Sequence, residues 1–250
     1  MESKIICFET LDSTNTKVMQ MAREGATEGT VVTAEKQTAG KGRRGRIWES
    51  PAGTNIYMSV LLRPNIEANK APMLTLVMAY SIGKVLKEKG YESVQIKWPN
   101  DLILSGKKIC GILTETELDG MDIGHVVVGV GVNVNEKEFP EELAGKATSL
   151  YLEGGSIMNR KLLIEEILER FSKDYKHFLE EENLMFLKDE YNKMLVNSGK
   201  EVRVLDPGKE YTAFALGINE TGELLVEKAD GTMEAVYAGE VSVRGIYGYV

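Results

Sequence analysis

Cysteine and histidine are almost missing from this chain: two of each in 250 residues, at Cys7 and Cys110 and at His125 and His177. Such sparse, widely spaced residues exclude a disulfide-stapled scaffold, a zinc site built from Cys and His, and a Cys–His catalytic dyad. With each cysteine in an apolar, strand-like run, two buried reduced thiols are the favoured state and a disulfide the minor one. Long hydrophobic runs are missing as well. No window is long enough to cross a bilayer, so no membrane partner is expected. Residues Met1 to Phe8 hold neither an apolar leader core nor a small-residue cleavage site, so no signal peptide and a cytoplasmic location are expected. Positive charge is in deficit: 30 Lys+Arg face 38 Asp+Glu, for a net charge of -8. That balance argues against nucleic acid, and so against DNA as a partner. There is no internal repeat and no low-complexity tract.

What is present is ordinary globular composition, 43% hydrophobic and 27% charged, enough for one sizeable core and a smaller unit. Against the acidic background one stretch stands out. From Lys36 to Arg46 there are five cations, three glycines and no carboxylate. A basic glycine-rich loop on an acidic protein suits a local anion site, because glycines let backbone N–H groups approach a phosphate. Such runs are more often solvated turns. Trp48 follows, with a flat apolar face for a ring.

The hydrophobic periodicity places elements around this loop. Ile5 to Phe8 reads as a strand. Asp12-Ser13-Thr14-Asn15 precedes a helical pattern (Val18, Met19, Met21, Ala22), and any of the four can cap it. Four polar residues exceed what one cap needs, so the surplus is available to a ligand at the helix N-terminus. Thr30 to Ala34 and Thr54 to Leu62 read as strands, and Ala71 to Lys89 as a helix with one core-facing stripe. Val94 to Leu104 is strand, break at Pro99, strand. Turns at Ser105-Gly106 and Asp119-Gly120 then give an antiparallel meander ending at Val134. Gly111, Gly129 and Gly131 leave room for something against that sheet. Gly129 to Asn135 imitates a dinucleotide fingerprint, but no helix pattern follows it. Residues 136 to 158 read as loop, Arg160 to Glu182 and Phe186 to Val196 as helices. From Asn197 on, short strands with turns at Asp206-Pro207-Gly208, Asn219 to Gly222 and Asp230-Gly231 indicate a small barrel. The expected division is 1–196 and 197–250.

Three segments, Gly40-Lys41-Gly42-Arg43-Arg44-Gly45-Arg46-Ile47-Trp48, Lys97-Trp98-Pro99-Asn100-Asp101 and Lys108-Ile109-Cys110-Gly111-Ile112-Leu113-Thr114-Glu115, together resemble the signatures of the biotin–protein ligases. Asp12 to Asn15, Gly129 to Asn133 and Ala238 to Arg244 resemble further family segments. The resemblance implies an α+β fold. A mixed, mainly antiparallel sheet carries helices in a class II synthetase-like, biotin–lipoate ligase catalytic domain, followed by a C-terminal SH3-like β-barrel. It implies a biotin–[biotin carboxyl-carrier protein] ligase that forms biotinyl-5′-AMP from biotin and Mg-ATP. Biotin is then passed to a lysine on the biotinyl domain of a biotin-dependent carboxylase or decarboxylase.

Carried over by position, Ser13, Thr14, Asn15, Gln37, Lys41, Gly42, Arg43, Lys108 and Gly111 would bind biotin. Arg43, Arg46, Trp48, Asn100 and Asn133 would bind ATP. Lys108, Arg43 and Asp101 would be catalytic, with Asp101 also helping to place magnesium. Joining a carboxylate to an α-phosphate brings two anions together, so such a site needs fixed cations more than a nucleophile. Lys41 stands where many members have arginine, and loses the planar fork.

Two rivals differ in class. Some members carry an N-terminal helix-turn-helix domain and act as repressors; a strand beginning at Ile5 leaves no room for one, so the monofunctional form is expected. A lipoate–protein ligase is the related enzyme, and the Lys-Trp-Pro-Asn-Asp and Gly-Arg-Arg-Gly-Arg patterns favour biotin. Exposed meander edges are compatible with a sheet-to-sheet homodimer.

Overall fold

The computed structural model describes residues 3–206, 209–238 and 242–245. Its main sheet has seven strands: β1 (Lys4–Leu11), β2 (Thr30–Gln37), β3 (Ile56–Leu62), β4 (Gln95–Lys97), β5 (Asp101–Leu104), β6 (Lys107–Asp119) and β7 (Asp122–Val132). They lie in the order β1-β2-β3-β7-β6-β5-β4, with only the β1–β2 pair parallel. The expected mixed, mainly antiparallel sheet is thus present. Its meander forms through two tight turns, the first with Ser105 and Gly106 both at positive φ, a pairing that matches strand twist.

One face of the sheet is closed by α1 (Thr14–Arg23), the other by α2 (Met73–Glu88), backed by α5 (Arg160–Glu181) and α6 (Met185–Met194). The stripe expected on α2 is wider than its spacing suggested. Every residue but Lys84, Lys87 and Glu88 is buried, because sheet and helices enclose it on both sides. Each fully buried aliphatic side chain contributes about 1.5–3 kcal/mol. Asn159 caps α5 by accepting from the Leu162 N–H at 3.2 Å. The expected 136–158 loop contains two short helices, α3 (Glu141–Ala144) and α4 (Leu150–Gly154), the second capped by the buried Ser149. Too short for a periodic pattern, both were invisible in the sequence.

A second sheet, β8 (Lys200–Asp206), β9 (Lys209–Ile218), β10 (Leu224–Glu227), β11 (Met233–Val236) and β12 (Ser242–Gly245), is antiparallel throughout in the order β11-β10-β9-β8-β12. This is the small C-terminal SH3-like unit. Pro207 and Gly208 of the turn expected at Asp206-Pro207-Gly208, and Gly239 to Val241 of the late family segment, lie outside the described residues. The buried Trp98 ties the units together by donating from Nε1 to the Gly222 carbonyl at 3.0 Å.

Two expectations are corrected. Cys7 is exposed and only Cys110 is buried, both as free thiols. β1 is an edge strand, and the helices on its far face pack chiefly on β4 to β7. The meander edge is not open, since Val196 N–H donates to the Ile96 carbonyl at 2.9 Å and covers β4.

Candidate active site

On the α1 side the sheet presents two parallel rows of residues. Ser59, Gly129 and Leu113 are successive partners across β3, β7 and β6; Tyr57, Gly131, Gly111, Asp101 and Lys97 form the next row, reaching β4. The glycines admit what lies above them. A Cβ on Gly129 would stand 1.9 Å from Asn15 Oδ1, and one on Gly131 would stand 2.5 Å from Trp48 Cε2. Gly111 is likewise overlain by Trp48 and Lys108. Room above these glycines was the expectation, and the indole and the carboxamide occupy it.

These rows floor a narrow, open-mouthed cleft. Ser13, Thr14, Asn15, Gln37, Lys41, Gly42, Arg43, Trp48, Asn100, Lys108 and Gly111 all line it. One end is polar and uncharged. No side chain there caps α1. Thr14 N–H donates to Gln37 Oε1 at 2.8 Å, and Ser59 Oγ lies 2.7 Å from Thr14 Oγ1 and 2.6 Å from Asn15 Oδ1. The polar residues before the helix are thus turned onto the sheet and the cleft rather than spent on capping.

The other end is cationic. Lys108 owes its direction to a bulge, where the β5–β6 register slips between Leu102 and Ile103. Ile109 goes to the core, and Lys108, which strict alternation from Gly111 would send there, reaches the cleft face. Lys108 Nζ pairs with Asp101 Oδ1 at 2.7 Å and sits 5.1 Å from the Trp48 ring centroid. The basic loop folds over this end as a narrow turn. Gly42 N–H donates to the Arg46 carbonyl at 2.7 Å, and Arg44 and Gly45 adopt positive φ. Arg43 is held from two sides, donating to Asn100 Oδ1 at 3.0 Å and to the Ala238 carbonyl of the C-terminal unit at 2.9 Å. Burial lowers its pKa, with Asp101 opposing that shift.

Two sequence-derived candidates stand apart from the cleft. Arg46 is exposed, and Asn133 is buried, its Nδ2 donating to the Thr148 carbonyl at 3.0 Å. Conversely, Lys97, Ser59 and Glu115, to which the sequence assigned no role, join the site in the fold. Lys97 is 5% exposed beside Asp101, and burial pushes its ammonium down to about 8. Glu115 accepts from Asn15 Nδ2 at 2.7 Å and faces Lys41 Nζ at 4.0 Å. Ser59 was detectable as the one polar residue in an otherwise apolar strand. Among the described residues no group of three or more His, Cys, Asp or Glu side chains could hold a metal. The arrangement can therefore grip a molecule with a polar, uncharged head and an anionic tail, and gather negative charge at one end.

Residues 7–133 match the model of the biotin/lipoate A/B protein ligase family, and residues 198–244 that of the biotin protein ligase C-terminal domain. The chain is similar to the bifunctional ligase/repressor BirA of Bacillus subtilis, 35% identical over 245 residues, covering 97% of this chain and 75% of BirA. The biotin–[acetyl-CoA-carboxylase] ligase of Mycobacterium tuberculosis is 31% identical over 237 residues, covering 92% and 85%. In structure the chain resembles the Aquifex aeolicus biotin protein ligase solved with biotin and ATP: TM-score 0.83, 32% identity, 97% of this chain and 99% of that one.

Proposed function

Since this chain belongs to the biotin/lipoate A/B protein ligase family, we propose that it is an ATP-dependent biotin–protein ligase. The observation that carries this reading is the polarity of the cleft. An uncharged hydrogen-bonding end at Ser13, Thr14, Asn15 and Gln37 suits a cyclic urea, the apolar Leu113 beside it suits an aliphatic chain, and Arg43 and Lys108 suit a carboxylate and a phosphate. In the first step a biotin carboxylate oxygen attacks the α-phosphorus of ATP, the bond to the β-phosphate breaks and pyrophosphate leaves. In the second, the ε-amine of an acceptor lysine attacks the acyl carbon, AMP leaves and the amine gives up a proton.

Lys108 holds carboxylate and α-phosphate together as charge concentrates between them, and Arg43 closes over both. Trp48 offers its face to the adenine, and Asn100, already bonded to Arg43, keeps the nucleotide side in register. Once a phosphate draws Lys108 away, Asp101 is a base for the incoming amine. A single carboxylate fits a magnesium ion that enters on the ATP phosphates, since Mg²⁺ commonly takes one or two carboxylates plus phosphate oxygens. In that ternary state Asp101 would hold the ion, which neutralises phosphate charge.

The acceptor in this reading is the biotinyl domain of a carboxylase or decarboxylase, the catalytic unit runs over 1–196 and the small unit over 197–250. A cytoplasmic location and the absence of a DNA partner are part of the proposal; no helix among the described residues is long and apolar enough to cross a membrane. A homodimer, if formed through the sheet, would use β1, whose outer side pairs with no strand among the described residues. Lipoate is the competing acid, and its dithiolane ring has no N–H to offer the polar end. Incubation with biotin, Mg-ATP and a biotinyl domain tests the reading through pyrophosphate release and a streptavidin blot. Absence of pyrophosphate from folded protein would falsify it, and titration with both acids separates biotin from lipoate.

A further inference from the structure

Lys108 is held in the cleft by its main chain as much as by its side chain. The pairing of β6 with β7 stops at Cys110, whose partner is Val132. Beyond that point residues 146–148 lie against β6, running parallel to it with Ala147 opposite Lys108. Lys108 N–H donates to the Lys146 carbonyl at 2.8 Å, and its own carbonyl accepts from the Thr148 N–H at 3.0 Å. Both backbone groups that fix the direction of the lysine are thus bonded to a short segment outside the seven strands. On its other side β6 meets β5 at the bulge, where the register slips. A bulge disrupts the ladder locally, so the place of Lys108 depends on what braces the β5–β6 hairpin against 146–148.

Glu153 supplies that brace. It stands in α4, which is capped by Ser149, and both its oxygens are bonded outside that helix. Oε1 accepts from the Thr148 hydroxyl at 2.7 Å, and Oε2 accepts from the Ser105 hydroxyl at 2.5 Å. Thr148 is the residue bonded to the Lys108 carbonyl, and Ser105 sits at positive φ in the turn that leads into β6. One carboxylate therefore closes a ring of contacts that runs from Ser105 through Glu153 and Thr148 to Lys108. Hydrogen bonds to an ionised acceptor are the strong kind. Glu153 itself is exposed, so its truncation leaves the core intact.

We propose that Glu153 is a positioning residue for adenylation: it holds the Lys108 bulge in place, so that Nζ stands at the reacting end of the cleft, and it touches neither substrate. The inference rests on the reading of Lys108 as the cation that joins carboxylate and α-phosphate. Misplacing a reacting group by about 1 Å can cost on the order of a hundredfold in rate. Loss of the brace leaves the backbone bonds of Lys108 standing, so the expected cost is smaller.

The test separates the two half-reactions in the full chain. Glu153→Ala should slow single-turnover adenylation from biotin and Mg-ATP about tenfold. Transfer from supplied biotinyl-5′-AMP to a biotinyl domain should stay within about twofold, since the two anions are already joined. Glu153→Gln keeps an oxygen for the Thr148 hydroxyl and an N–H for the Ser105 oxygen, and should restore adenylation to within about twofold of wild type. Thr148→Val removes one arm of the brace and should slow adenylation in the same sense. Added to Glu153→Ala it should have no further effect, because both act through one contact. Unchanged adenylation in both Glu153→Ala and Thr148→Val would overturn the proposal. So would an equal fall in both half-reactions, which marks a general loss of structure, or a Glu153→Gln chain as slow as Glu153→Ala. A wild-type chain that releases no pyrophosphate would instead overturn the functional reading.

Discussion

Lys108 Nζ lies 2.7 Å from Asp101 Oδ1 while sitting against the Trp48 ring. The ammonium is held between a carboxylate and an aromatic face that a substrate would also approach. An arriving anion competes with Asp101 for this charge, and the exchange would leave Asp101 available when the amine enters.

Lys108→Ala should abolish adenylate formation while leaving the fold intact, because the side chain is a quarter exposed and contributes little to the core. Losing such an electrostatic contact costs on the order of 3 kcal/mol in the transition state. Single-turnover adenylation within a few-fold of wild type would show that the role belongs to another cation, such as Arg43 in the cleft or Lys97 beside Asp101.

Arg43→Gly should weaken retention of the adenylate more than its synthesis. The substitution removes the bonds to Asn100 and to the Ala238 carbonyl that hold the loop over the cleft. Charged hydrogen bonds are worth about 1.5–3 kcal/mol, so dissociation of biotinyl-adenylate should accelerate by about ten- to a hundredfold. Released mixed anhydride would then label lysines on a protein with no biotinyl domain. An unchanged dissociation rate would move the latch to Lys41 or Arg46.

Gly131→Ala should raise KM for ATP more than KM for biotin. A Cβ at this position meets Trp48 Cε2 at 2.5 Å, and the nearest atoms all belong to the indole. Overpacking of this kind costs about 1–3 kcal/mol. Equal effects on both substrates would argue against Trp48 as an adenine platform.

Lys97 predicts a pH dependence of stability. Burial lowers its pKa to about 8 in the folded chain, against about 10.4 when unfolded. Between those values the unfolded state binds more protons, so stability attributable to this residue rises with pH. Below about pH 8 the cost of keeping the ammonium buried is fully present. Lys97→Met should therefore stabilise the protein at pH 7 by on the order of 3 kcal/mol, with the gain shrinking toward pH 10. Urea unfolding of both proteins across that range is the measurement, and parallel curves would contradict the assignment.

Local signals carried the order of elements. Period-two alternation, the Ser105-Gly106 and Asp119-Gly120 turns and the amphipathic 160–181 helix are properties of neighbouring residues, and each lies where the spacing put it. The basic loop was legible for the same reason, as a charge contrast within one short segment. The burial of Cys7 was misjudged because an apolar strand pattern does not say whether the strand lies at the centre of a sheet or at its edge. Lys108 could not be aimed from alternation, since a one-residue bulge reverses which side of the strand it occupies. The hold of Ala238 on Arg43 joins residues 195 positions apart, and the row Ser59–Gly129–Leu113 joins three strands remote in the chain. Such contacts depend on register across the sheet, where a slip of one residue turns every side chain to the other face.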